Sequence, residues 1–323
     1  MGRVFITRAV PGRALELLEG AGHGVEVWPE PTPPPADKLR ERLASNDAAL
    51  TMVVDRISPE MLDGAKSLRI VANMAVGYDN IDPVEAANRG VWVTNTPGVL
   101  AETTADMAFA LLMTAARNVV ASDRDTRAGG WKTWSPTGFL GADVHGATLG
   151  IVGLGEIGSA MARRAGGFGM RVLYSGRTRK HAAEQQLGCQ FVSLEQLLAE
   201  SDFVSVHTPL NAETRGMFGR REFGLMKPTA IFINSARGQV VDQAALIEAL
   251  ESKQIAGAAL DVTDPEPLPL DNPLFRFENV IITPHIASAS LATRSRMAEM
   301  AAENIIEVLA GRAPKNPVNR VGD

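Results

Sequence analysis

Short apolar runs alternate along the chain with longer stretches in which apolar residues recur at helical spacing. The runs predict strands, and the stretches between them predict helices. In the first part of the chain the predicted strands are Arg3–Thr7, Val25–Trp28, Ala48–Val54, Arg69–Asn73 and Val91–Thr94, and the predicted helices are Gly12–Glu19 and Ala36–Ala44. Strands separated by helices favour a parallel sheet, so this part is predicted to be an α/β unit.

The same alternation predicts a second α/β unit later in the chain. Its strands are expected at Thr148–Val152, Arg171–Ser175, Asp202–Val206, Ala230–Asn234, Ile255–Val262 and Val280–Thr283, with a helix at Ile157–Phe168. Each strand is followed by polar or glycine-rich residues. Because parallel strands end at one edge of their sheet, these residues are expected to lie near one another.

Three further segments connect or complete the two units. Ala101–Val119 is helical in propensity and apolar on most faces, which suits either a helix between domains or a subunit interface. The aromatic and irregular stretch Arg127–Pro136 favours an arm or lid. The final helix, Leu291–Leu309, is predicted to return to the first unit. The predicted domains are therefore 1–98 with 289–323, and 99–288.

A glycine fingerprint follows the first strand of the second unit. Gly153, Gly155 and Gly158 have the G-x-G-x-x-G spacing, between a predicted strand and a predicted helix. The first glycine permits a tight turn, the second a close approach of the backbone to a pyrophosphate, and the third close packing of helix and strand. The segment therefore predicts a dinucleotide site, with the phosphates at a helix N-terminus.

The next strand ends in the basic turn Ser175–Lys180, which indicates the type of dinucleotide. NAD-binding units usually carry an acidic residue about 20 residues past the fingerprint, to bind the adenosine ribose. Here no Asp or Glu occurs between Glu156 and Glu184. A guanidinium such as that of Arg177 binds phosphate in a two-pronged geometry, so the turn favours the 2′-phosphate of NADP. The alternative is a solvated basic turn.

Composition limits the classes of partner. The chain has 323 residues, 45% of them apolar, with a net charge of −5 and no long basic run, which argues against nucleic acid as a partner. No apolar run approaches the roughly 18 residues of a membrane span. The N-terminus opens with the strand-like Val4–Ile6, and Cys189 is the single cysteine, so a cytoplasmic protein is expected.

Three consecutive strand ends of the second unit carry residues suited to carbonyl chemistry: Arg237, Glu266 and His285. A nicotinamide enzyme that reduces a carbonyl must bind the substrate, stabilise charge on its oxygen and supply a proton. Imidazole titrates near neutral pH, so His285 is the expected acid, with Glu266 to orient it. Arg237 would bind a substrate carboxylate and polarise the carbonyl. Each residue alone is more often structural, whereas the combination favours a catalytic site.

Another histidine, His207, also follows a predicted strand and is expected to line the cofactor crevice. It is not assigned as the acid, because no carboxylate is placed near it in the sequence. No grouping of histidine and cysteine has the spacing of metal ligands, so no metal is expected.

Several segments together resemble the D-isomer-specific 2-hydroxyacid dehydrogenases, and within them the glyoxylate/hydroxypyruvate reductases. The resemblance covers nearly the whole chain. Besides the glycine fingerprint it rests on Ile70–Asp82, Asn95–Leu100, Trp131–Trp134, Ser235–Gly238, Leu260–Pro267 and Pro284–Ser288. The subgroup assignment depends on Trp131–Trp134, Ser175–Arg177 and Leu260–Pro267.

The resemblance implies a role for residues that the spacing alone does not assign. Arg237, Glu266 and His285 would be the catalytic trio, and the amides of Val76 and Gly77 would hold the substrate carboxylate. The helix at 101–119 would build a homodimer, in which Trp134 reaches the active site of the partner subunit. Thr104 would lie beside the cofactor and Asp261 near the nicotinamide carboxamide. The other expected cofactor contacts are Leu154, Gly155, Glu156, Ile157, Ser175, Gly176, Arg177, Thr178, Thr208, Pro209, Ser235, Ala236, Arg237, His285 and Ala287.

The expected fold is a pair of doubly wound parallel-sheet domains with a cleft between them, a flavodoxin-like substrate domain and a Rossmann cofactor domain. The expected reaction is reduction of glyoxylate or hydroxypyruvate to glycolate or D-glycerate, with NADP preferred and NAD possible. Phosphoglycerate dehydrogenase remains an alternative, although it would favour an acidic residue where the basic turn stands. A cofactor-sensing protein without catalysis also remains open, because fold alone does not establish activity.

Overall fold

The computed structural model describes residues 1–322 and divides them into two compact units. Unit 1 comprises Met1–Leu100 and the chain from Ala289 onward, and unit 2 comprises Ala101–Ser288. The first boundary lies two residues beyond the one predicted at 98. Each unit is built around one parallel sheet, so the prediction of two parallel α/β domains is confirmed.

Twelve strands occur in residues 1–322. Most are short, buried and rich in Val, Ile and Ala, which is typical of parallel sheets covered on both faces. The strands are β1 Arg3–Ile6, β2 Gly24–Val27, β3 Ala48–Thr51, β4 Ile70–Asn73, β5 Trp92–Thr94, β6 Thr148–Val152, β7 Arg171–Ser175, β8 Cys189–Phe191, β9 Phe203–Val206, β10 Ile231–Asn234, β11 Gly257–Leu260 and β12 Val280–Ile282.

Helices connect the strands and cover the sheets. Several begin at a residue whose side chain accepts hydrogen bonds from the first turn, as Asp82, Asp242 and Ser290 do. The helices are α1 Ala14–Gly20, α2 Ala36–Ser45, α3 Pro59–Asp63, α4 Pro83–Asn88, α5 Ala101–Ala116, α6 Val119–Arg127, α7 Glu156–Gly167, α8 His181–Leu187, α9 Leu194–Glu200, α10 Arg220–Leu225, α11 Gln243–Glu251 and α12 Leu291–Leu309. Gly238–Val240 and Pro273–Arg276 form short 3-10 turns.

The sheet of unit 1 has the strand order β2-β1-β3-β4-β5, which is the flavodoxin-like order, and all its paired strands are parallel. Successive residues of the inner strands alternate between two cores. In β1, for example, Val4 and Ile6 contribute to one core and Phe5 to the other. Burying such a side chain contributes roughly 1.5–3 kcal/mol, so both faces of the sheet need a helical cover.

Helix α12 supplies part of that cover. Its buried residues Met297, Ala301 and Ile305 belong to the same core as Val4 and Leu50 of the sheet. Although α12 is 19 residues long, its sequence is interrupted by charged residues. Within the described part of the chain, no helix is both long enough and apolar enough to cross a membrane.

The sheet of unit 2 has the order β12-β11-β10-β9-β6-β7-β8, again entirely parallel. The chain passes from β6 to β7 and β8 on one side and then returns to β9 on the other. The switch point of this sheet therefore lies between β6 and β9, where open α/β sheets bind their ligands. The ends of these two strands carry the glycine fingerprint and His207.

The helix predicted over 101–119 is two helices. Helix α5 ends at Ala116, Asn118 adopts a left-handed backbone conformation with φ 52°, and α6 begins at Val119. The amide of Ala142 donates to the carbonyl of Ala116 at 2.8 Å, and the Asn118 side chain donates to the carbonyl of Leu140 at 2.9 Å. The segment around Leu140 and Ala142 thus supplies hydrogen-bond partners at the end of α5. Local helical propensity does not reveal these contacts, because they involve residues more than 20 positions away.

Candidate active site

The glycine fingerprint forms a tight turn between β6 and α7. Gly153 has φ +97°, and a Cβ built on it would lie 2.8 Å from the carbonyl oxygen of His207. A Cβ on Gly158 would lie 2.2 Å from the carbonyl oxygen of Gly153, so α7 can pack on the turn only if residue 158 is a glycine. A Cβ on Gly155 would meet no protein atom within 4 Å. The turn therefore leaves open space beside its middle glycine, as a diphosphate requires.

Helix α7 begins beside that open space. Gly155 is its N-cap and offers no side chain to bind the first amides of the helix, which include those of Glu156 and Ile157. Such amides have no intrahelical partner and favour an anion. Leu154 is 4% exposed and belongs to the core beneath the turn. The fingerprint residues thus fit the diphosphate of a dinucleotide.

The basic turn after β7 is closed by a tyrosine. The hydroxyl of Tyr174 accepts a hydrogen bond from the amide of Lys180 at 2.7 Å and donates to Oε1 of Glu184 at 2.7 Å. Arg179 donates to both oxygens of the same carboxylate. These bonds from Arg179 and Tyr174 lower the pKa of Glu184 to about 2. Arg179 is therefore engaged in holding the turn.

Arg177 is in a different position. Its side chain is 81% exposed and lies 3.8 Å from the carboxylate of Glu213, a long and exposed contact. Gly176 and Thr178, its neighbours in the turn, are also exposed, whereas Ser175 at the strand end is buried. Of the two arginines of this turn, Arg177 is thus the one better placed for a ligand.

Glu213 corrects one expectation. The sequence shows no carboxylate between Glu156 and Glu184, from which we expected nothing at this strand end to oppose a 2′-phosphate. The structure places Glu213 beside Arg177, from the loop that follows β9. The local sequence of the turn gives no sign of this carboxylate, because Glu213 lies 36 positions after Arg177 in the chain.

The loop after β10 holds Arg237 rigidly. Oδ1 of Asn234 accepts from the amide of Ala236 at 3.0 Å, and Nδ2 of Asn234 donates to the carbonyl of Arg237 at 2.9 Å. A Cβ on Gly238 would lie 2.0 Å from the carbonyl oxygen of Thr263, so the loop is pressed against the segment after β11. These contacts fix the backbone from which the Arg237 guanidinium projects.

Ser235, in the same loop, carries a hydroxyl without a hydrogen-bond partner among residues 1–322, although the residue is only 8% exposed. A buried hydroxyl without a partner is costly, so it indicates a site completed by a ligand. Ser235 follows β10, at the carboxyl edge of the sheet.

His285 and Glu266 form a hydrogen-bonded pair. Nδ1 of His285 lies 3.0 Å from Oε2 of Glu266, and both side chains are half-buried. The other oxygen of Glu266 accepts from the amide of Thr263 at 3.0 Å. Both carboxylate oxygens are thus used, one to anchor Glu266 and one to hold the imidazole. The contact therefore engages Nδ1 of the imidazole with Glu266.

Asp261 holds the turn that carries His285. Its carboxylate accepts hydrogen bonds from the amides of Ile286 and Ala287, both at 2.8 Å, and from the Thr283 hydroxyl at 2.6 Å. His285 itself has φ +53°, a left-handed conformation that is uncommon for a residue with a side chain. Asp261 was assigned by resemblance to the nicotinamide carboxamide, and the structure shows that it also stabilises this turn.

His207 lies at the end of β9, beside the glycine turn. Its Nε2 is 2.9 Å from the Ser205 hydroxyl, and burial lowers the pKa of His207 to about 4. The imidazole is therefore neutral at pH 7 and is unsuited to supply a proton there. Thr208 and Pro209 follow it, and the carbonyl of Pro209 accepts from the Thr214 hydroxyl at 2.6 Å.

The remaining predicted site residues lie apart from these loops in the chain. Val76 and Gly77 follow β4 in unit 1 and are half-exposed. Thr104 is buried on α5 of unit 2. Trp134 is 79% exposed, on a segment without helix or strand. The structure thus brings Arg237, Glu266, His285 and the fingerprint to one edge of the unit 2 sheet, whereas Trp134 lies on an exposed irregular segment.

Comparisons with known proteins identify the family of the chain. The family model described as "D-isomer specific 2-hydroxyacid dehydrogenase, NAD binding domain" matches residues 109–287. The glyoxylate reductase of Korarchaeum cryptofilum is 54% identical over 319 residues, which cover 98% of this chain and 96% of that protein.

Two solved structures extend the similarity to the fold. A protein from Thermus thermophilus superposes with a TM-score of 0.93 at 49% identity, covering 98% of this chain and 99% of the other. The NADPH-dependent glyoxylate/hydroxypyruvate reductase of Sinorhizobium meliloti, in complex with NADP and malonate, has a TM-score of 0.86 at 31% identity, with 99% of each chain covered. The chain belongs to the D-isomer specific 2-hydroxyacid dehydrogenase family and is an NAD(P)-dependent oxidoreductase.

Proposed function

We propose that this protein reduces glyoxylate and hydroxypyruvate to glycolate and D-glycerate, and that it prefers NADPH. The observation that carries the proposal is the His285–Glu266 pair, whose nitrogen and oxygen are 3.0 Å apart at the carboxyl edge of a dinucleotide-binding sheet. The relative from Korarchaeum cryptofilum is named a glyoxylate reductase, and the one from Sinorhizobium meliloti a glyoxylate/hydroxypyruvate reductase. Their names support the choice of a small 2-oxo acid as substrate.

Each proposed group has one task. His285 donates the proton to the carbonyl oxygen, and Glu266 keeps its imidazole oriented, since Nδ1 is already engaged. Arg237 binds the 2-oxo acid and polarises the carbonyl, because a guanidinium stabilises the charge that develops on oxygen. The amides of Val76 and Gly77 hold the substrate carboxylate. Unit 1 is accordingly the substrate domain and unit 2 the cofactor domain.

The residues of unit 2 fit a nicotinamide dinucleotide. The open space at Gly155 and the start of α7 suit its diphosphate, and the buried Ser235 hydroxyl lacks a partner among the described residues. When bound, the cofactor supplies the hydride. The exposed guanidinium of Arg177, with the hydroxyls of Ser175 and Thr178, suits the 2′-phosphate of NADP, which supports the preference for NADPH.

A screen of small 2-oxo acids with both cofactors tests the proposal. Glyoxylate and hydroxypyruvate should exceed pyruvate and phenylpyruvate in kcat/KM, because the relatives described above are named for small substrates. Turnover followed by absorbance of the reduced nicotinamide measures this directly. A preference for phenylpyruvate would contradict the substrate assignment, and the absence of turnover with every 2-oxo acid would contradict catalysis itself.

We also propose that a second copy of this chain is the protein's partner. Exposed large apolar residues are concentrated in one irregular segment, where Trp131 is 71%, Trp134 79% and Leu140 71% exposed. Such a concentration marks an interaction surface. It adjoins α5 and α6 in the chain, and in the dimer we assign to Trp134 a contact with the substrate of the partner subunit.

Sedimentation equilibrium tests the dimer. The mass should be twice the 34.4 kDa of the chain, and Leu140→Asp should shift the protein toward the monomer, since it places a charge in the proposed interface. Leu270→Asp is a matched control, because Leu270 is 94% exposed in another loop of unit 2. A monomeric wild type, or equal effects of the two substitutions, would contradict the proposal.

A further inference from the structure

The loop after β4, which contains Val76 and Gly77, is held by three hydrogen bonds to consecutive carbonyl groups. The amide of Thr96 donates to the carbonyl of Ala75 at 2.8 Å. Nδ2 of Asn95 donates to the carbonyl of Val76 at 2.8 Å. Nδ2 of Asn73 donates to the carbonyl of Gly77 at 2.9 Å. All three donors belong to the ends of β4 and β5, so the loop is bound to the sheet of its own unit.

These bonds determine where the amides of the loop point. In a planar trans peptide, the carbonyl of one residue and the N–H of the next point in opposite directions. Fixing the carbonyl of Ala75 therefore directs the amide of Val76, and fixing the carbonyl of Val76 directs the amide of Gly77. Because their anchors, Thr96 and Asn95, are adjacent, both N–H groups are turned away from the same segment.

The two amides are available to a ligand. Within residues 1–322, no group accepts a hydrogen bond from the backbone amide of Val76 or of Gly77. Both residues are half-exposed, whereas Asn73 and Thr96 on the anchoring side are buried. Two adjacent, similarly directed donors match the oxygens of a carboxylate, which accepts hydrogen bonds from backbone N–H groups.

Asn95 is itself rigidly placed. Its amide donates to the carbonyl of Asn316 at 3.3 Å, and the preceding residue, Thr94, forms an antiparallel bridge with Pro317. The end of β5 is thus held between β4 and the C-terminal segment. Because the backbone of Asn95 is fixed, its side chain also fixes the carbonyl of Val76 to which it donates.

We propose that Asn95 is a positioning residue for the substrate carboxylate, acting through the Val76–Gly77 peptide. The inference rests on the proposed function, in which that peptide binds the 2-oxo acid. Without the Asn95 amide, the peptide between Val76 and Gly77 loses the hydrogen bond that fixes its own plane and becomes less ordered. Substrate binding must then order it, which weakens binding. Asn95 need not touch the substrate for this effect.

Asn95→Ala tests the proposal. Its KM for glyoxylate should rise about ten-fold, since the variant weakens one hydrogen bond to a charged group. The KM for NADPH should be unchanged. Asn46→Ala is the matched control: Nδ2 of Asn46 also donates to a backbone carbonyl at 2.8 Å, in the same unit but before β3, at the opposite edge of the sheet. That control should leave both KM values unchanged even if it lowers thermal stability.

A crystal structure of Asn95→Ala without substrate separates positioning from direct contact. A rotated or disordered Val76–Gly77 peptide, together with the raised KM, supports the proposal. A raised KM with an unchanged peptide would show that Asn95 binds the substrate itself. An unchanged KM in an active enzyme would show that Asn95 has no role; either result overturns the proposal.

Asn95→Asp, which preserves the side-chain shape, replaces Asn95→Ala if that variant does not fold. It should likewise raise the KM, and an unchanged KM overturns the proposal.

The outcomes for the inference and for the proposed function differ. If wild type fails to reduce any 2-oxo acid, the proposed function fails, and the inference fails with it. If wild type reduces glyoxylate and Asn95→Ala behaves as Asn46→Ala does, only the inference fails.

Discussion

Replacing His285 by alanine should lower kcat for glyoxylate reduction by about 10²–10⁴-fold, because general acid catalysis typically contributes that factor. The imidazole is held by Glu266 at 3.0 Å, and the only other histidine at the sheet edge in the described chain, His207, is neutral at pH 7 because burial lowers its pKa to about 4. Cofactor affinity, measured by fluorescence titration, should change little. Retained turnover would show that the proton comes from another group.

Three further variants separate the loss of the acid from disturbance of its turn. His285 has φ +53°, and asparagine tolerates this conformation better than alanine, so His285→Asn should lose as much activity with less strain. Glu266→Gln should be milder, since the amide can still accept from one of the two donors that the carboxylate now serves, Thr263 and His285. His181→Ala, at an exposed position on α8, should behave as wild type. An inactive His181→Ala would point to a general loss of folding.

Replacing Arg177 by alanine should raise the KM for NADPH by about 10–100-fold while leaving that for NADH nearly unchanged. Hydrogen bonds to charged groups contribute roughly 1.5–3 kcal/mol, and only NADPH carries the 2′-phosphate that Arg177 is proposed to bind. Steady-state kinetics with each cofactor at saturating glyoxylate measure the effect. An equal weakening of both cofactors, or a wild type that uses NADH as well as NADPH, would contradict the phosphate site.

The neighbours of Arg177 provide matched controls. Arg179→Ala removes an equal charge from the same turn, but Arg179 is bound to Glu184, so its loss should weaken NADPH binding less than loss of Arg177. Glu213→Gln removes the carboxylate 3.8 Å from Arg177 and should lower the KM for NADPH modestly, because exposed ion pairs contribute about 0–1 kcal/mol. If Arg179→Ala raises the KM for NADPH more than Arg177→Ala does, then Arg179, and not Arg177, binds the 2′-phosphate.

Local sequence predicts most of the two-sheet α/β fold because strands and helices follow from the spacing of apolar residues, although the three-residue strand β8, Cys189–Phe191, is not predicted. The spacing places the β1, β4 and β10 regions within one or two residues of their observed bounds, and α12 at Leu291–Leu309. The glycine fingerprint can also be recognised from the sequence, since the steric requirements at Gly153 and Gly158 arise from the tight turn between strand and helix. Gly158, for example, has no space for a Cβ beside Gly153.

The family resemblance contributes what spacing cannot. From the residues alone, Arg237, Glu266 and His285 are candidates because they follow consecutive strands of one sheet. The roles of Val76, Gly77 and Trp134 come only from the resemblance. The local sequence of the Val76–Gly77 loop carries no chemical signal, because its amides are backbone groups that nearly every residue possesses.

Tertiary structure alone decided the features that depend on residues distant in the chain. The helix predicted through Val119 stops at Ala116 because Ala142 returns to bind its last carbonyl. Glu213 reaches Arg177, and Asn95 reaches Val76, across loops from other strands. Local propensity and spacing register only neighbours along the chain, whereas a hydrogen bond or ion pair depends on distance in space. The sequence by itself therefore determined the sheets, the fingerprint and the candidate trio, and only the fold decided which partners each of these residues meets.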